Sequence, residues 1–165
     1  MALYAIGDLH LCLGAPKPMD IFGGNWTGYM DKLKVGMSVI TEADTTVLLG
    51  DLSWALSLEE SAADFAWINE IPGRKIILKG NHDYWWSTAA KFNKFCEANG
   101  FENMYLLNNN CFEYGDWAIC GTRGWFFEEE RSGSHKLAME GLWDGVEFRL
   151  VAADYLNFKP YKVFL

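Results

Sequence analysis

Three short polar segments of the sequence carry side chains that could bind metal ions, and each segment begins with a glycine. The segments are Gly7-Asp8-Leu9-His10, Gly50-Asp51 and Gly80-Asn81-His82-Asp83. Their carboxylate, amide and imidazole groups are hard or borderline ligands, and no thiolate lies among them. This mixture suits Mn²⁺, Fe or Zn²⁺ better than a soft metal ion. The predicted metal ligands are Asp8, His10, Asp51 and Asn81.

Such a ligand set could support phosphoryl chemistry. Two cations held about 4 Å apart would clamp a phosphoryl oxygen and generate a hydroxide nucleophile between them. Asp51 lies in the middle segment, and its carboxylate could bridge two cations. His82 could protonate a leaving alkoxide or stabilise charge on the transferring group. Asp83 is predicted to orient that imidazole, so His82 and Asp83 are the candidate catalytic residues.

Each polar segment follows a short apolar run that is typical of a buried strand. These runs cover residues 3–6, 45–49 and 75–78, and amphipathic stretches at residues 26–41, 57–71 and 87–98 are predicted as helices. The alternation of strand and helix predicts an α/β fold with a largely parallel sheet and right-handed crossovers. Because ligands bind beyond the carboxyl ends of such strands, the three segments are expected at one edge.

The later part of the chain is predicted to hold strands, a loop and one helix. Strands are expected at residues 104–107, 111–120 and 161–165, a loop at 128–133 and a helix over 135–157. Taken singly, each glycine-led segment is also ordinary turn chemistry. Their order after three successive strands is far more specific than any one of them.

The three segments resemble the D-x-H, G-D and G-N-H-[DE] motifs of calcineurin-like metallophosphoesterases. The similarity extends over residues 19–23, 80–86 and 120–125. It implies a helix-flanked two-sheet sandwich (α/β/β/α) formed by one domain over residues 1–165. It also implies two divalent metal ions (Mn, Fe or Zn) and metal-dependent phosphoester hydrolysis of a small substrate. The roles that it implies are Asp8 and His10 on the first metal, Asp51 bridging, Asn81 on the second metal, and His82 in catalysis.

Two departures from the family pattern weaken the expectation of turnover. The family's second motif is often G-D-x-x-D, and Trp54 replaces its last aspartate. The family also supplies histidines near its C-terminus, whereas His135 is the one histidine left here without a role. The chain is therefore expected to be the N-terminal portion of the domain and to hold one metal ion more readily than two. A non-catalytic metal- or nucleotide-binding module of the same fold is the alternative.

The composition of the chain limits the kinds of partner that it could bind. The net charge of −8 disfavours a basic nucleic-acid-binding surface, although bound cations could still present a phosphate site. No apolar run reaches membrane-spanning length, no signal segment is evident, and the four cysteines form no C-x-x-C pair, so a cytoplasmic protein with free thiols is expected. Arg123, flanked by glycines, is a candidate to bind a substrate phosphate. A dinucleotide-binding domain is a poor fit, because no G-x-G-x-x-G follows the first strand.

Overall fold

The computed structural model describes residues 1–122 and 140–163, and its centre is a five-stranded sheet. The sheet strands are β1 (Leu3–Ile6), β2 (Thr45–Leu48), β3 (Arg74–Ile77), β4 (Met104–Leu106) and β9 (Tyr161–Val163). Their order is β4-β3-β2-β1-β9; the first four are parallel, and β9 runs antiparallel to β1. This order confirms the predicted parallel sheet, in which the carboxyl ends of β1 to β4 lie along one edge.

Three α-helices connect the parallel strands. They are α1 (Tyr29–Met37), α2 (Ala62–Glu70) and α3 (Ala89–Asn99), and two short 3₁₀ turns at Met19–Phe22 and Gly24–Trp26 precede α1. Thr88 caps α3 by accepting a hydrogen bond from the backbone N–H of Lys91, and Gly100 ends the helix with φ +70°. Among the described residues, no helix is both long enough and apolar enough to cross a membrane.

The two faces of the sheet bury alternate residues of each strand. Ile6, Leu48 and Ile77 face the helices, and their core includes fully buried aromatic rings from α2 and α3. Each such ring stabilises the fold by about 1.5–3 kcal/mol relative to an exposed one. On the opposite face, Val47 and Ile76 pack in a second cluster. This alternation is the period-two pattern of a sheet that is covered on both sides.

The second face is covered by a β-hairpin. Its strands are β5 (Cys111–Tyr114) and β6 (Trp117–Cys120), paired antiparallel. Tyr114, Phe112 and Ile119 pack against the sheet there. A further hairpin, β7 (Gly141–Trp143) with β8 (Val146–Phe148), lies later in the chain. The mixed α/β architecture with flanking helices is confirmed, and within the described ranges the β5–β6 hairpin is the part of a second β-layer that packs on this face.

The helix predicted over residues 135–157 is wrong wherever the structure describes it. Residues 141–148 form the β7–β8 hairpin instead. Asp144 and Gly145 form its two-residue turn, with φ +49° and +81°, which is the positive-φ pair of a type I′ turn. The Asp-Gly pair was the hairpin signal, and it outweighs the helical spacing of the apolar residues. Arg123, His135 and the loop predicted at 128–133 lie outside the described residues.

Helix α2 begins later than predicted. Ser57 and Glu60 form one hydrogen bond of a capping box, in which the Ser57 hydroxyl accepts from the Glu60 backbone N–H at 3.2 Å. The Glu60 carboxylate, however, accepts from the N–H of Leu56 rather than that of Ser57. The pair therefore stabilises a turn at residues 58–61, and the regular helix starts at Ala62.

Candidate metal centre

The three glycine-led segments meet at the carboxyl edge of the parallel sheet, as loops that follow β1, β2 and β3. Backbone bonds join the first two loops: the N–H of Asp8 donates to Gly50 and that of His10 donates to Asp51, both at 2.9 Å. Asp8, His10 and Asp51 have φ values of +55°, +47° and +50°. Left-handed backbone at a non-glycine residue is unfavourable, and it is concentrated in proteins at functional sites.

Glycine is required where the second and third loops touch. A Cβ atom on Gly50 would lie 2.3 Å from the backbone nitrogen of Gly80, and one on Gly80 would lie 2.1 Å from Asp51 Oδ1. Gly50 also has φ +94°. The absence of side chains at these two positions therefore brings the Asp51 and His82 loops into direct contact.

Three side chains form a cluster that could bind a cation. One ligand atom from each of His10, Asp51 and His82 lies within 4.8 Å of the others. His10 and Asp51 are buried, and the His82 side chain is 39% exposed. Two imidazoles and a carboxylate are a donor set that suits a divalent ion such as Zn²⁺, Mn²⁺ or Fe²⁺. The chemistry of the site thus fits the metal ions that the sequence predicts.

Asp51 is the carboxylate that holds His82. Its Oδ1 accepts the backbone N–H of His82 at 2.8 Å, and its Oδ2 lies 2.9 Å from His82 Nδ1. Both carboxylate oxygens thereby fix the backbone and the ring of the same histidine. The sequence predicted Asp83 in this orienting role, and the structure places Asp51 there.

Asp83 instead joins the second and third loops through their backbones. It is completely buried; Oδ2 accepts the N–H groups of Asp51 and Gly80, and Oδ1 accepts those of Leu52 and the Trp85 indole, all at 2.8 Å. Burial raises the pKa of this carboxyl, and these hydrogen bonds act in the opposite direction. Asp83 therefore positions the loops that carry the predicted ligands.

Asp8 and Asn81 lie beside the cluster. Asp8 Oδ1 is 3.8 Å from His10 Nε2, and Asn81 Nδ2 is 3.1 Å from His82 Nδ1. Both predicted ligands are therefore adjacent to a histidine of the site. Asp8 is partly exposed and Asn81 is exposed, so both can approach a cation from the solvent side.

An aromatic wall surrounds the histidines, and sequence reasoning missed it. The Trp54 ring stacks on His10 with centroids 4.8 Å apart and an interplanar angle of 19°, and it lies 5.2 Å from His82. Trp26 contacts His10 edge-on at 5.7 Å. Lys17 Nζ lies 3.5 Å from the Trp54 ring centroid, a cation–π contact. Trp54, which replaces the last aspartate of the family's second motif, is therefore part of the aromatic wall around the histidines. This replacement was the sequence signal that could have indicated the wall.

A buried network supports the first two loops from beneath. The Asp64 side chain of α2 is fully buried and accepts hydrogen bonds from the Ser53 hydroxyl and, at 2.7 Å, from the backbone N–H of Leu13. Burial raises the pKa of Asp64, and the bonds from Ser53 and the Leu13 loop lower it. Helix α2 is therefore tied to the loops after β1 and β2.

A cavity of about 200 Å³ lies at the ends of the loop that carries Asn81 and His82. Lys79 and Trp86 flank that loop in sequence, and both line the cavity. The other lining residues are Leu78, Leu107, Asn108, Asn109 and Thr122. Tyr84, Trp85 and Trp86 follow the third motif. Trp85 is buried in the core, and Trp86 lines this cavity.

These features agree with the comparison of the sequence with known families. The calcineurin-like phosphoesterase family matches residues 1–154, so the chain belongs to that family. The family is a group of metal-dependent phosphoester hydrolases, and the cluster of two histidines and an aspartate accords with metal binding. No curated protein matches the chain significantly.

Solved structures support the fold alone. A protein of unknown function from Aquifex aeolicus, AQ665, is similar with a TM-score of 0.55 and 16% identity, over 98% of this chain and 95% of that one. The phosphopantetheinyl hydrolase PptH from Mycobacterium tuberculosis shows a TM-score of 0.39 and 16% identity, over 69% of this chain and 38% of that one. The second likeness is too weak to bear on this chain.

Proposed function

We propose that this chain hydrolyses small phosphoesters with divalent cations held at the edge of the sheet. The observation that carries the proposal is the convergence of His10, Asp51 and His82 within 4.8 Å, on loops whose motifs match the family. Bound cations would polarise a phosphoryl oxygen and activate water. Mn²⁺, Fe²⁺ and Zn²⁺ are the candidates, with Asp8, His10, Asp51 and Asn81 as the ligands and His82 beside them.

The chain's own residues would divide the remaining work. Asp51 holds the His82 ring through Nδ1, so Nε2, which lies 3.4 Å from Asn81 Nδ2, is the nitrogen that would give a proton to the leaving oxygen. The partial exposure of His82 admits a substrate, whereas Trp54 and Trp26 shield His10 on its other sides. The aromatic wall lowers the local dielectric constant and so strengthens interactions with a phosphoryl group.

The substrate is proposed to be a small cytoplasmic phosphoester rather than a nucleic acid. The protein is acidic, so its attraction for phosphate would come from bound cations and a few basic side chains. Lys17 lies against the wall of the site, and Lys79 lines the adjoining cavity. Arg123, which follows Thr122 in sequence, remains the predicted further contact to phosphate.

A hydrolysis assay tests this function. Purified protein with Mn²⁺ is expected to release nitrophenol from p-nitrophenyl phosphate or bis(p-nitrophenyl) phosphate. Asp51→Asn and His82→Gln should each lower kcat/KM by about 100-fold or more, because general acid catalysis alone contributes about 10²–10⁴. Asp31→Asn, at an exposed site on α1, is the matched control and should keep full activity. Absence of hydrolysis with every metal and both esters would refute the proposal.

A second candidate is a metal-binding module without turnover. It is favoured by the position of His82, which has a ligand atom within 4.8 Å of those of His10 and Asp51. A His82 that binds the metal ion cannot also serve as the acid. In that case His82→Gln should weaken Mn²⁺ binding as strongly as His10→Gln does. In the enzyme, the His82 variant should lose turnover while keeping most of its metal affinity.

A further inference from the structure

Two exposed thiols face each other on the β5–β6 hairpin, apart from the metal centre. Cys111 begins β5, Cys120 ends β6, and the two residues are directly opposite in the strand register. Both thiols are free and exposed. The proposed hydrolysis requires neither of them.

The hairpin places this pair at a position that suits a cross-strand disulfide. Gly115, with φ +56°, is the first of two turn residues, as in a type II′ turn, so Tyr114 and Trp117 form the hydrogen-bonded pair that closes it. Because such pairs alternate along an antiparallel ladder, Cys111 and Cys120, three steps away, form a non-hydrogen-bonded pair. Its Cα atoms are typically ~4.5 Å apart, within the roughly 4.4–6.8 Å that a disulfide spans.

Packing of the hairpin keeps the two thiols in register. Phe112 and Ile119 face the sheet and pack in its second apolar cluster, so their neighbours Cys111 and Cys120 point to the opposite side. A one-residue slip would move the apolar pair into solvent and is therefore opposed. The thiols are thus held opposite each other before any bond forms.

We propose that Cys111 and Cys120 are a modification site, at which oxidants of the glutathione-disulfide class join the two thiols in a reversible internal disulfide. One cysteine thiolate attacks the oxidised glutathione, forming a mixed disulfide and releasing one glutathione thiolate. The second cysteine thiolate then attacks the protein sulfur of that mixed disulfide and releases the second glutathione. Two protein thiols are oxidised, one external disulfide is reduced to two thiols, and the protons of the cysteines pass to water and the released thiolates.

The test is an equilibrium titration of the full chain in glutathione buffers, followed by acid trapping and peptide mass analysis. Cleavage after Glu113 separates the two cysteines, so an internal disulfide leaves two peptides joined and lighter by two hydrogens. The control is the double variant Cys120→Ser with Ala118→Cys. It keeps two thiols on the outward face, but residue 118 pairs with Glu113 and is diagonal to Cys111.

The wild-type chain is expected to close the internal disulfide with an equilibrium constant at least about tenfold larger than that of the control, or about 30 mV in reduction potential. The oxidised chain should also unfold at a higher urea concentration than the reduced one. Equal constants for the two chains would overturn the proposal. So would separate glutathione adducts on Cys111 and Cys120, or disulfide-linked dimers as the main product.

Discussion

Asp83→Asn should destabilise the protein strongly, although it replaces one atom by another of similar size. Each oxygen of Asp83 accepts two hydrogen bonds at 2.8 Å: from the N–H groups of Asp51 and Gly80 on one oxygen, and from those of Leu52 and the Trp85 indole on the other. The second oxygen also accepts a longer bond, at 3.4 Å, from the Ser53 N–H. In either orientation, the asparagine NH₂ group would face at least two N–H donors. Two hydrogen bonds to a charged acceptor are lost, each contributing about 1.5–3 kcal/mol, so the expected cost is about 3–6 kcal/mol.

Urea unfolding followed by tryptophan fluorescence measures this loss. With a slope of about 2 kcal/mol per molar urea, the midpoint should fall by roughly 1.5–3 M. Asp31→Asn is the control; its side chain is 89% exposed and forms an ion pair with the exposed Lys34, so its midpoint should change little. If the Asp83→Asn midpoint fell by less than about 0.5 M, the carboxylate would not be the link between the loops, and the reasoning would fail.

Three further predictions concern the backbone of the site and buried charge. Gly50→Ala should cost more than about 3 kcal/mol and weaken metal binding, since its Cβ would overlap Gly80, whereas Gly100→Ala, with open space around it, should cost about 1 kcal/mol. Burial lowers the pKa of Lys75 to about 8, so above that pH the unfolded chain keeps a proton that the folded chain has lost. The free energy of unfolding of the wild-type chain should therefore rise between about pH 8 and 10, compared with that of Lys75→Met. Hydrogen bonds from the Thr41 hydroxyl and N–H lower the pKa of Asp44, so Asp44→Asn should cost about 1 kcal/mol at pH 7 and less as the pH falls below about 4.

The edge of the sheet that carries the site could be predicted from sequence because local signals and topology agreed. Three apolar runs each ended in a glycine followed by a polar residue, and parallel strands deliver such ends to one side. The structure confirms strands that end at Ile6, Leu48 and Ile77. The alternation of apolar runs and amphipathic stretches indicated parallel strands in succession. That arrangement predicted which residues meet at the edge.

The contacts within the site could not be predicted in the same way. The attachment of His82 to Asp51 depends on left-handed backbone at Asp51 and on the close approach of Gly50 to Gly80. These are long-range geometric facts, and no spacing along the chain encodes them. Asp83 was next to His82 in sequence, which suggested a partnership, yet its side chain turns toward the backbone of the neighbouring loop.

The same distinction explains the error at the β7–β8 hairpin. Helical spacing of apolar residues over 135–157 was a weak signal, whereas Asp144-Gly145 is a strong local turn whose backbone conformation excludes a helix. Trp54 was noticed for the aspartate that it replaces, but its stacking on His10 follows only from the packing of the two loops.

Metal binding by the loops at the sheet edge is the central claim, and Mn²⁺ binding by equilibrium dialysis tests it most directly. The wild-type chain is expected to bind at least one Mn²⁺ per protein, and Asp51→Asn should weaken that binding by about tenfold or more, since it removes the one carboxylate of the cluster. Asp31→Asn should bind as the wild type does. Equal Mn²⁺ affinity in the Asp51→Asn variant and the wild type, or no binding by a folded wild-type chain, would contradict the account.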